Sequence, residues 1–421
     1  MTLFLYRFLL IIITPLLLLA LVVRSLNHPK YRQRIKERLG LIPTTFPTNC
    51  IVIHAASVGE VIAIKSYVDY LLTQNQHIVM TTFTPTGSEQ VKKLFCDRVH
   101  HCYLPLDVWP CTWLFLRRLK PKALVLMETE IWPNLIHQCQ KRHIKLQLIN
   151  ARLSEKSITS YRKIKPLITP ALQCFDQILC QSHESYQRFL SLEAHQSRCE
   201  VAGNLKFDLA INDDINAKTK HLGQLLPKQK PVWLVASSHS GDEEIVLSAY
   251  QTLIEKHPEL LLILVPRHPE RFESVFTLCE TQGFNTQKRS TDATVLAQTQ
   301  VWVLDTLGEL MSAYQLADYV TIAGTFSNIG GHNPLEPALY KKPIIVGADM
   351  HNFNEINSLM NKEEGIIQLA GQAPIDELVK EISTLIELPQ LAKNLGQNAY
   401  KVVQQNQGAS VYCSTKLLNL L

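Results

Sequence analysis

With 421 residues, 46% of them hydrophobic and 19% charged, the chain has material for two cores and is not a disordered or low-complexity protein. Its formal net charge of +5 is too small to point to a nucleic-acid partner. Ten scattered cysteines with no CxxC pair suit buried, reduced thiols in a cytosolic domain better than a disulfide framework.

Leu3 to Val23 is apolar except at Tyr6, Arg7, Thr14 and Pro15. As a helix rising about 1.5 Å per residue it reaches about 31 Å, enough for the roughly 30 Å hydrocarbon core of a membrane. Val22, Val23, Arg24 and Ser25 offer no A-x-A-like cleavage site, so the segment reads as an anchor and not as a signal peptide. Arg24, Lys30, Arg32, Arg34, Lys36 and Arg38 follow, against the single acid Glu37. The positive-inside rule places the bulk of the chain in the cytoplasm and this basic segment on an anionic leaflet.

From Ile51 onward, strands alternate with helical stretches. Apolar strands are expected at Ile51–Ile53, Ile78–Thr82, Ala123–Met127, Leu146–Ile149 and Gln177–Cys180. After a polar stretch they resume at Val232–Ala236, Leu261–Val265, Val301–Leu304, Tyr319–Ile322 and Pro343–Val346. This βαβ rhythm predicts an α/β fold of two Rossmann-like domains facing a cleft. The expected organisation is an anchor at 1–24, an N-terminal domain at 25–210, a linker at 211–230, a C-terminal domain at 231–400, and a C-terminal helix at 401–421 packing back on the N-terminal domain. The run from Cys96 to Cys102 matches no standard zinc spacing and leads into a strand-like segment.

The first strand runs into His54-Ala55-Ala56-Ser57-Val58-Gly59-Glu60, a small-residue turn at the strand's carboxyl end, where open α/β sheets place ligands. Glu60 has two readings there: a first-turn carboxylate favoured by the helix dipole, or a base for a substrate hydroxyl. A helix start lowers a carboxylate's pKa, so a base at this position needs its basicity restored by other means. Thr82 to Glu89 offers hydroxyls that either cap the next helix or meet a polyhydroxylated substrate. Glu128-Thr129-Glu130-Ile131-Trp132-Pro133-Asn134 sets two carboxylates beside a tryptophan, and Asn150 to Ser157 forms another polar loop on the same rim. Lys206, in Gly203–Asp208, is either a surface lysine or a cation at the cleft mouth.

In the second half, Ser237 to Glu244 leads small residues into a helix start and suggests an anion site, without the GxGxxG or Walker A patterns of NAD or ATP sites. Arg267, after Pro266, suits a phosphate or carboxylate because its fork binds two oxygens. Gly308 permits a close backbone approach. Asn333, Pro334 and Glu336 form a capping box, with Glu336 also suited to ribose hydroxyls. Gly330-Gly331 suggest a ligand lying against the backbone.

The segments HAASVGE, TTFTPTGSE, METEIWPN, NARLSEKS, GNLKFD, LVPRHPER, LDTLGEL and GGHNPLEP, in this order, closely resemble the bacterial Kdo transferases of lipopolysaccharide synthesis. The resemblance covers nearly the whole chain. It implies a GT-B glycosyltransferase at the cytoplasmic face of the bacterial inner membrane that moves 3-deoxy-D-manno-octulosonic acid (Kdo) from CMP-Kdo to a lipid A precursor, lipid IVA, by inverting single displacement. In that family Glu60 matches the base, and Glu130 and Lys206 match groups that stabilise the transition state. Pro266, Arg267, Leu307, Gly308, Glu309, Asn333, Pro334, Leu335 and Glu336 match the CMP-binding segments. The implied partners are CMP-Kdo, the lipid acceptor and anionic lipid, with no cofactor beyond the donor and no metal. The chain departs from the family at Leu307, where many relatives have Met, and at Ser327-Asn328-Ile329, which replaces a charged stretch. A GT-B enzyme using another nucleotide sugar is the alternative.

Overall fold

Runs of Val, Ile and Leu that lie between helices can be buried on both faces only in a parallel sheet, and the computed structural model has two such sheets. It describes residues 2–27, 29–31, 33–209, 213–227 and 230–421. The chain divides into two units, Met1–Asp208 with Asn406–Leu421, and Leu209–Gln405.

In the first unit β1 (Ile51–His54), β2 (Ile78–Thr82), β3 (His100–Tyr103), β4 (Ala123–Met127), β5 (Lys145–Ala151), β6 (Gln177–Cys180) and β7 (Cys199–Val201) form a parallel sheet in the order β3-β2-β1-β4-β5-β6-β7. Every residue of β1, β2 and β4 is buried. Strand order reverses between β1 and β4, the switch point at which α/β sheets leave a crevice beyond the strand ends.

The second unit repeats the plan with β8 (Val232–Ser238), β9 (Leu261–Pro266), β10 (Thr286–Lys288), β11 (Val301–Val303), β12 (Tyr319–Ile322), β13 (Ile344–Val346) and β14 (Ile367–Gln368). Their order is β10-β11-β9-β8-β12-β13-β14, again all parallel, with the reversal between β8 and β12.

Two segments depart from the sequence reading. The expected linker at 211–230 is largely a helix, Asp213–Leu225, with Leu222 and Leu225 buried and Ser312 donating to the Ile215 carbonyl. It belongs to the second unit; residues 210–212 and 228–229 of that stretch lie outside the described residues. Residues 401–405 likewise continue the helix Pro389–Asn406 of the second unit. The chain re-enters the first unit at Asn406, where that helix ends, and Gly408, with a φ of 105°, starts the next one. Asp208 then accepts from the N–H groups of Gly408 at 2.6 Å and Ser410 at 2.5 Å. The helix Ala409–Leu418 buries Ala409, Cys413 and Leu417 in the core that contains Ile53, Tyr67 and Val125.

The N-terminal helix Leu3–Asn27 contains a stretch, Leu3–Ala20, long and apolar enough to cross a membrane. The basic segment after it is less available to a leaflet than its sequence suggests. Arg38 is fully buried, its guanidinium 4.4 Å from the Tyr103 ring centre and donating to the Phe83 carbonyl at 2.8 Å. Arg34 donates to Glu37 at 2.7 Å and to the His101 carbonyl at 2.7 Å. Lys30 pairs with Glu89 at 2.5 Å. Lys36 stays exposed, whereas Arg32 lies outside the described residues.

Candidate active site

In the first unit the site is built on the turn after β1. Ser57 has an extended backbone and its hydroxyl accepts from the Glu60 N–H, so it caps the helix Val58–Ala63. Glu60, at the third position of that helix, reaches back. Its Oε2 accepts from the Ala56 N–H at 2.8 Å and its Oε1 from the Ser57 hydroxyl at 2.8 Å. These bonds lower its pKa, yet the net shift is upward, because burial and the nearby Glu128 carboxylate, with a smaller contribution from Glu130, outweigh them. The helix-start reading and the base reading of Glu60 are thus compatible.

Glu128 follows β4 with a left-handed φ of 56°, and its N–H donates to the Ile149 carbonyl at 3.0 Å. That kink turns the chain back at the switch point. Glu130 accepts from the Trp132 indole N–H at 2.9 Å and lies 3.4 Å from Nε2 of the buried His54. The other ring nitrogen of His54 faces the Thr81 hydroxyl at 3.0 Å. Trp132 stacks on Phe83, with ring centres 5.7 Å apart, and Tyr161 donates to the Thr129 carbonyl at 3.2 Å. Glu60, Glu128 and Glu130 therefore share one rim, each on a braced loop.

Lys206 lies in the turn Leu205–Phe207, capped by Asn204 and held to the end of β5 because Asn150 Oδ1 accepts from the Leu205 N–H at 3.1 Å. Leu205 is buried with Ile53, Met127 and Ile149, which fixes the turn at the carboxyl edge of the same sheet. The polar loops between these points are partly occupied by capping. Thr84 accepts from the Gly87 N–H at 3.1 Å and Ser154 from the Ser157 N–H at 3.1 Å.

In the second unit the predicted residues fall on three loops at the carboxyl edge. Pro266 ends β9, and Arg267 is exposed while its N–H donates to the Ser238 carbonyl at 3.0 Å. Asn333 Oδ1 accepts from the Leu335 N–H at 3.1 Å, its amide donates to Glu336 at 3.3 Å, and Pro334 opens the helix Leu335–Leu339. Burial pushes the Glu336 carboxyl up to about 7, against the opposing pull of Asn333 and Arg267. Arg267 and Glu336 are thereby placed in one electrostatic neighbourhood.

The third loop, after β11, behaves differently. Leu307 is 68% exposed and Gly308 has a φ of 84°, but the Glu309 carboxylate is turned inward to Arg289 at 2.9 Å and to the Thr306 hydroxyl. What this loop offers a ligand is backbone and the Leu307 side chain, not the acid.

Two expectations for this edge change. The helix start after β8 is filled by the chain's own acids. Asp242 accepts from the N–H groups of His239 at 2.9 Å and Gly324 at 2.8 Å, Glu244 accepts from Gly241 at 2.9 Å, and Glu243 is ion-paired with Arg271 at 2.6 Å. The N–H groups of His239, Gly241 and Gly324 are thereby taken by the chain's own carboxylates, and the Glu243 charge is offset by Arg271. The Gly330-Gly331 pair also has an internal cause. Both have positive φ, and a Cβ on Gly330 would meet the His351 ring at 2.5 Å, one on Gly331 the Met350 sulfur.

Sequence reasoning passed over a histidine cluster. His239 and His332 stack at 5.1 Å with their Nε2 atoms 2.9 Å apart, and His268 meets His239 edge-on at 5.3 Å. Burial, then Arg267, holds His332 down at about 4, and burial lowers His239. Both shifts favour the neutral ring, the form in which one imidazole can donate to the other. The three come from separate loops, so no local spacing announces them. Among the described residues no three His, Cys, Asp or Glu side chains are grouped so as to hold a metal ion.

Residues 33–209 match the family model described as 3-deoxy-D-manno-octulosonic-acid transferase (kdotransferase). The chain is 40% identical over 422 aligned residues to the 3-deoxy-D-manno-octulosonic acid transferase of Haemophilus influenzae, covering 99% of this chain and 97% of that one. The C-terminal CMP-Kdo binding domain of WaaA from Acinetobacter baumannii is 30% identical, covering 45% of this chain and 97% of that one, with a TM-score of 0.42. A UDP-GlcNAc 2-epimerase from Neisseria meningitidis, bound to UDP-GlcNAc, shares the fold with a TM-score of 0.61 at 15% identity, covering 88% of this chain and 99% of that one. With two parallel seven-stranded units in GT-B style and that degree of identity along its length, the chain belongs to the 3-deoxy-D-manno-octulosonic acid transferases, a family of glycosyltransferases.

Proposed function

We propose that this chain transfers Kdo from CMP-Kdo to a lipid A precursor, lipid IVA, at the cytoplasmic face of the bacterial inner membrane, with Glu60 as the general base of an inverting displacement. The observation that carries the reading is the state of Glu60. Its carboxylate is fixed at the switch point by Ala56 and Ser57, and burial with Glu128 raises its proton affinity above that of an ordinary helix-start glutamate.

In this scheme Glu60 takes the proton of an acceptor sugar hydroxyl as that oxygen bonds to the anomeric carbon of Kdo. The bond from that carbon to the CMP phosphate oxygen breaks, and CMP leaves with the electron pair. Glu130, braced by Trp132 beside His54, and Lys206, on its anchored turn, are proposed to stabilise the charge that develops between them. Pro266, Arg267, the backbone of Leu307 to Glu309, and Asn333 to Glu336 are proposed to hold CMP, with Arg267 bearing on the phosphate.

Incubation with CMP-Kdo and lipid IVA should release CMP and add Kdo mass to the lipid. Glu60→Gln should cut turnover by about 10²-fold or more while CMP binding persists. Wild-type protein that releases no CMP from CMP-Kdo would sink the reading; a GT-B enzyme with another donor would give that result.

A further inference from the structure

The N-terminal helix does not leave the first unit as a free tether. Between Leu3 and Ala20 its half-covered residues are Leu3, Tyr6, Arg7, Leu10, Thr14 and Leu18, a spacing of three to four that makes one narrow stripe. That stripe meets the rim described above. The Tyr6 hydroxyl donates to Asp107 at 2.8 Å, and Arg7 Nε donates to Asn134 Oδ1 at 2.8 Å. Leu10 and Leu18 pack with Leu39 against Leu106, Val108 and Cys111. Away from the stripe the helix exposes large apolar side chains, among them Phe4 at 80%, Leu16 at 63% and Leu19 at 58%.

From Tyr6 to Leu18 the docked length is about 18 Å at roughly 1.5 Å per residue. If the helix crossed the bilayer, that much of the rim would be drawn into the hydrocarbon, including the Asp107 carboxylate and the irregular backbone before Asn134. Backbone of that kind is not tolerated against lipid. A helix lying in the interface meets no such cost, because it buries only its exposed face, about 5–10 Å deep. The flanking charge fits an anionic membrane surface. Lys36 and Arg118 are exposed beside a hollow of about 600 Å³ lined also by Leu41, Ile42 and Pro43, on the segment whose Leu39 packs against the helix.

We propose that the N-terminal helix lies in the plane of an anionic membrane surface, docked along the rim that carries Glu60 and Glu130, so that both ends of the chain are on the same side of the bilayer. This rests on the membrane placement in the proposed function but not on the reaction. Asp107 and Asn134 link the helix to the catalytic rim. Asp107 accepts from the N–H groups of Asn134 at 3.0 Å and Leu135 at 2.8 Å, at the start of the helix Pro133–Lys141 that follows the Glu128–Trp132 loop.

The test is a full-length chain with different epitope tags at its two ends, expressed in a Gram-negative bacterium. Protease is added to spheroplasts and, separately, to inverted inner-membrane vesicles. Both tags should be protected in spheroplasts and lost together in inverted vesicles. Tags lost in opposite preparations would show a spanning helix and overturn the proposal. Both tags lost in spheroplasts would uphold the in-plane helix while refuting the cytoplasmic placement. A chain that fails to float with vesicles containing phosphatidylglycerol would show that the exposed face meets protein instead, which also overturns it. CMP release, measured on the same preparations, reports the reaction independently of any of these outcomes.

Discussion

A carboxylate in the first turn of a helix is kept ionised by the dipole and by nearby N–H donors, and Glu60 has such a donor in Ala56. Burial and the Glu128 charge nevertheless lift its pKa above the ordinary glutamate value. A base must be ionised to act, so the rate should fall on the acid side around a pKa higher than that of a free glutamate. Glu128→Gln removes a like charge, lowers the Glu60 pKa, and should move the acid limb of the kcat/KM profile to lower pH. An unmoved limb would detach that limb from Glu60. The segments HAASVGE and METEIWPN made Glu60 and Glu130 legible in the sequence. The action of Glu128 on Glu60 was not, because it arises only when the ends of β1 and β4 are brought side by side.

Among the elements, all ten anticipated strands are present, and the four that the apolar pattern did not reveal are β3, β7, β10 and β14, the outer edges of the two sheets. An edge strand has one neighbour and is only partly covered, so it need not be a continuous apolar run; the residues of β10 are all only half-buried. The loop glycines show the opposite limit, where the pattern is plain but its cause is tertiary. Gly283→Ala, with positive φ and open space around it, should cost about 1–2 kcal/mol, the ordinary left-handed penalty. Gly331→Ala adds a clash with Met350 to the same penalty and should lower the unfolding midpoint further. Equal losses would return the Gly-Gly pair to a ligand-based explanation. At the start of the helix Pro133–Lys141, Asp107→Ala would leave two buried N–H groups without their acceptor and should destabilise the first unit by about 1–3 kcal/mol, read as a shift in thermal unfolding.

At the scale of the whole molecule, the chain's return makes its last residues part of its first core. Leu417 is fully buried among side chains that include Tyr67 and Val68, more than 300 positions earlier in the chain. Leu417→Ala should cost about 2–5 kcal/mol, and the loss should fall on the unfolding of the first unit alone. Hydrogen exchange at β1 and β4 would then rise while β8 and β9 stay protected. Equal loosening in both units would contradict the division at Asp208 and Asn406.

By itself the sequence determined the α/β class, the two halves, the central strands and the rim loops. Each of these depends on local periodicity or on a short motif, and a buried parallel strand must be apolar wherever it lies. Only the tertiary structure decided that Arg34 and Arg38 turn inward, that Asp242 and Glu244 fill the helix start after β8, that Glu309 faces Arg289, and that His239 meets His332. A side chain's charge and basicity depend on what the fold places a few ångströms away, and no spacing along the chain records that distance.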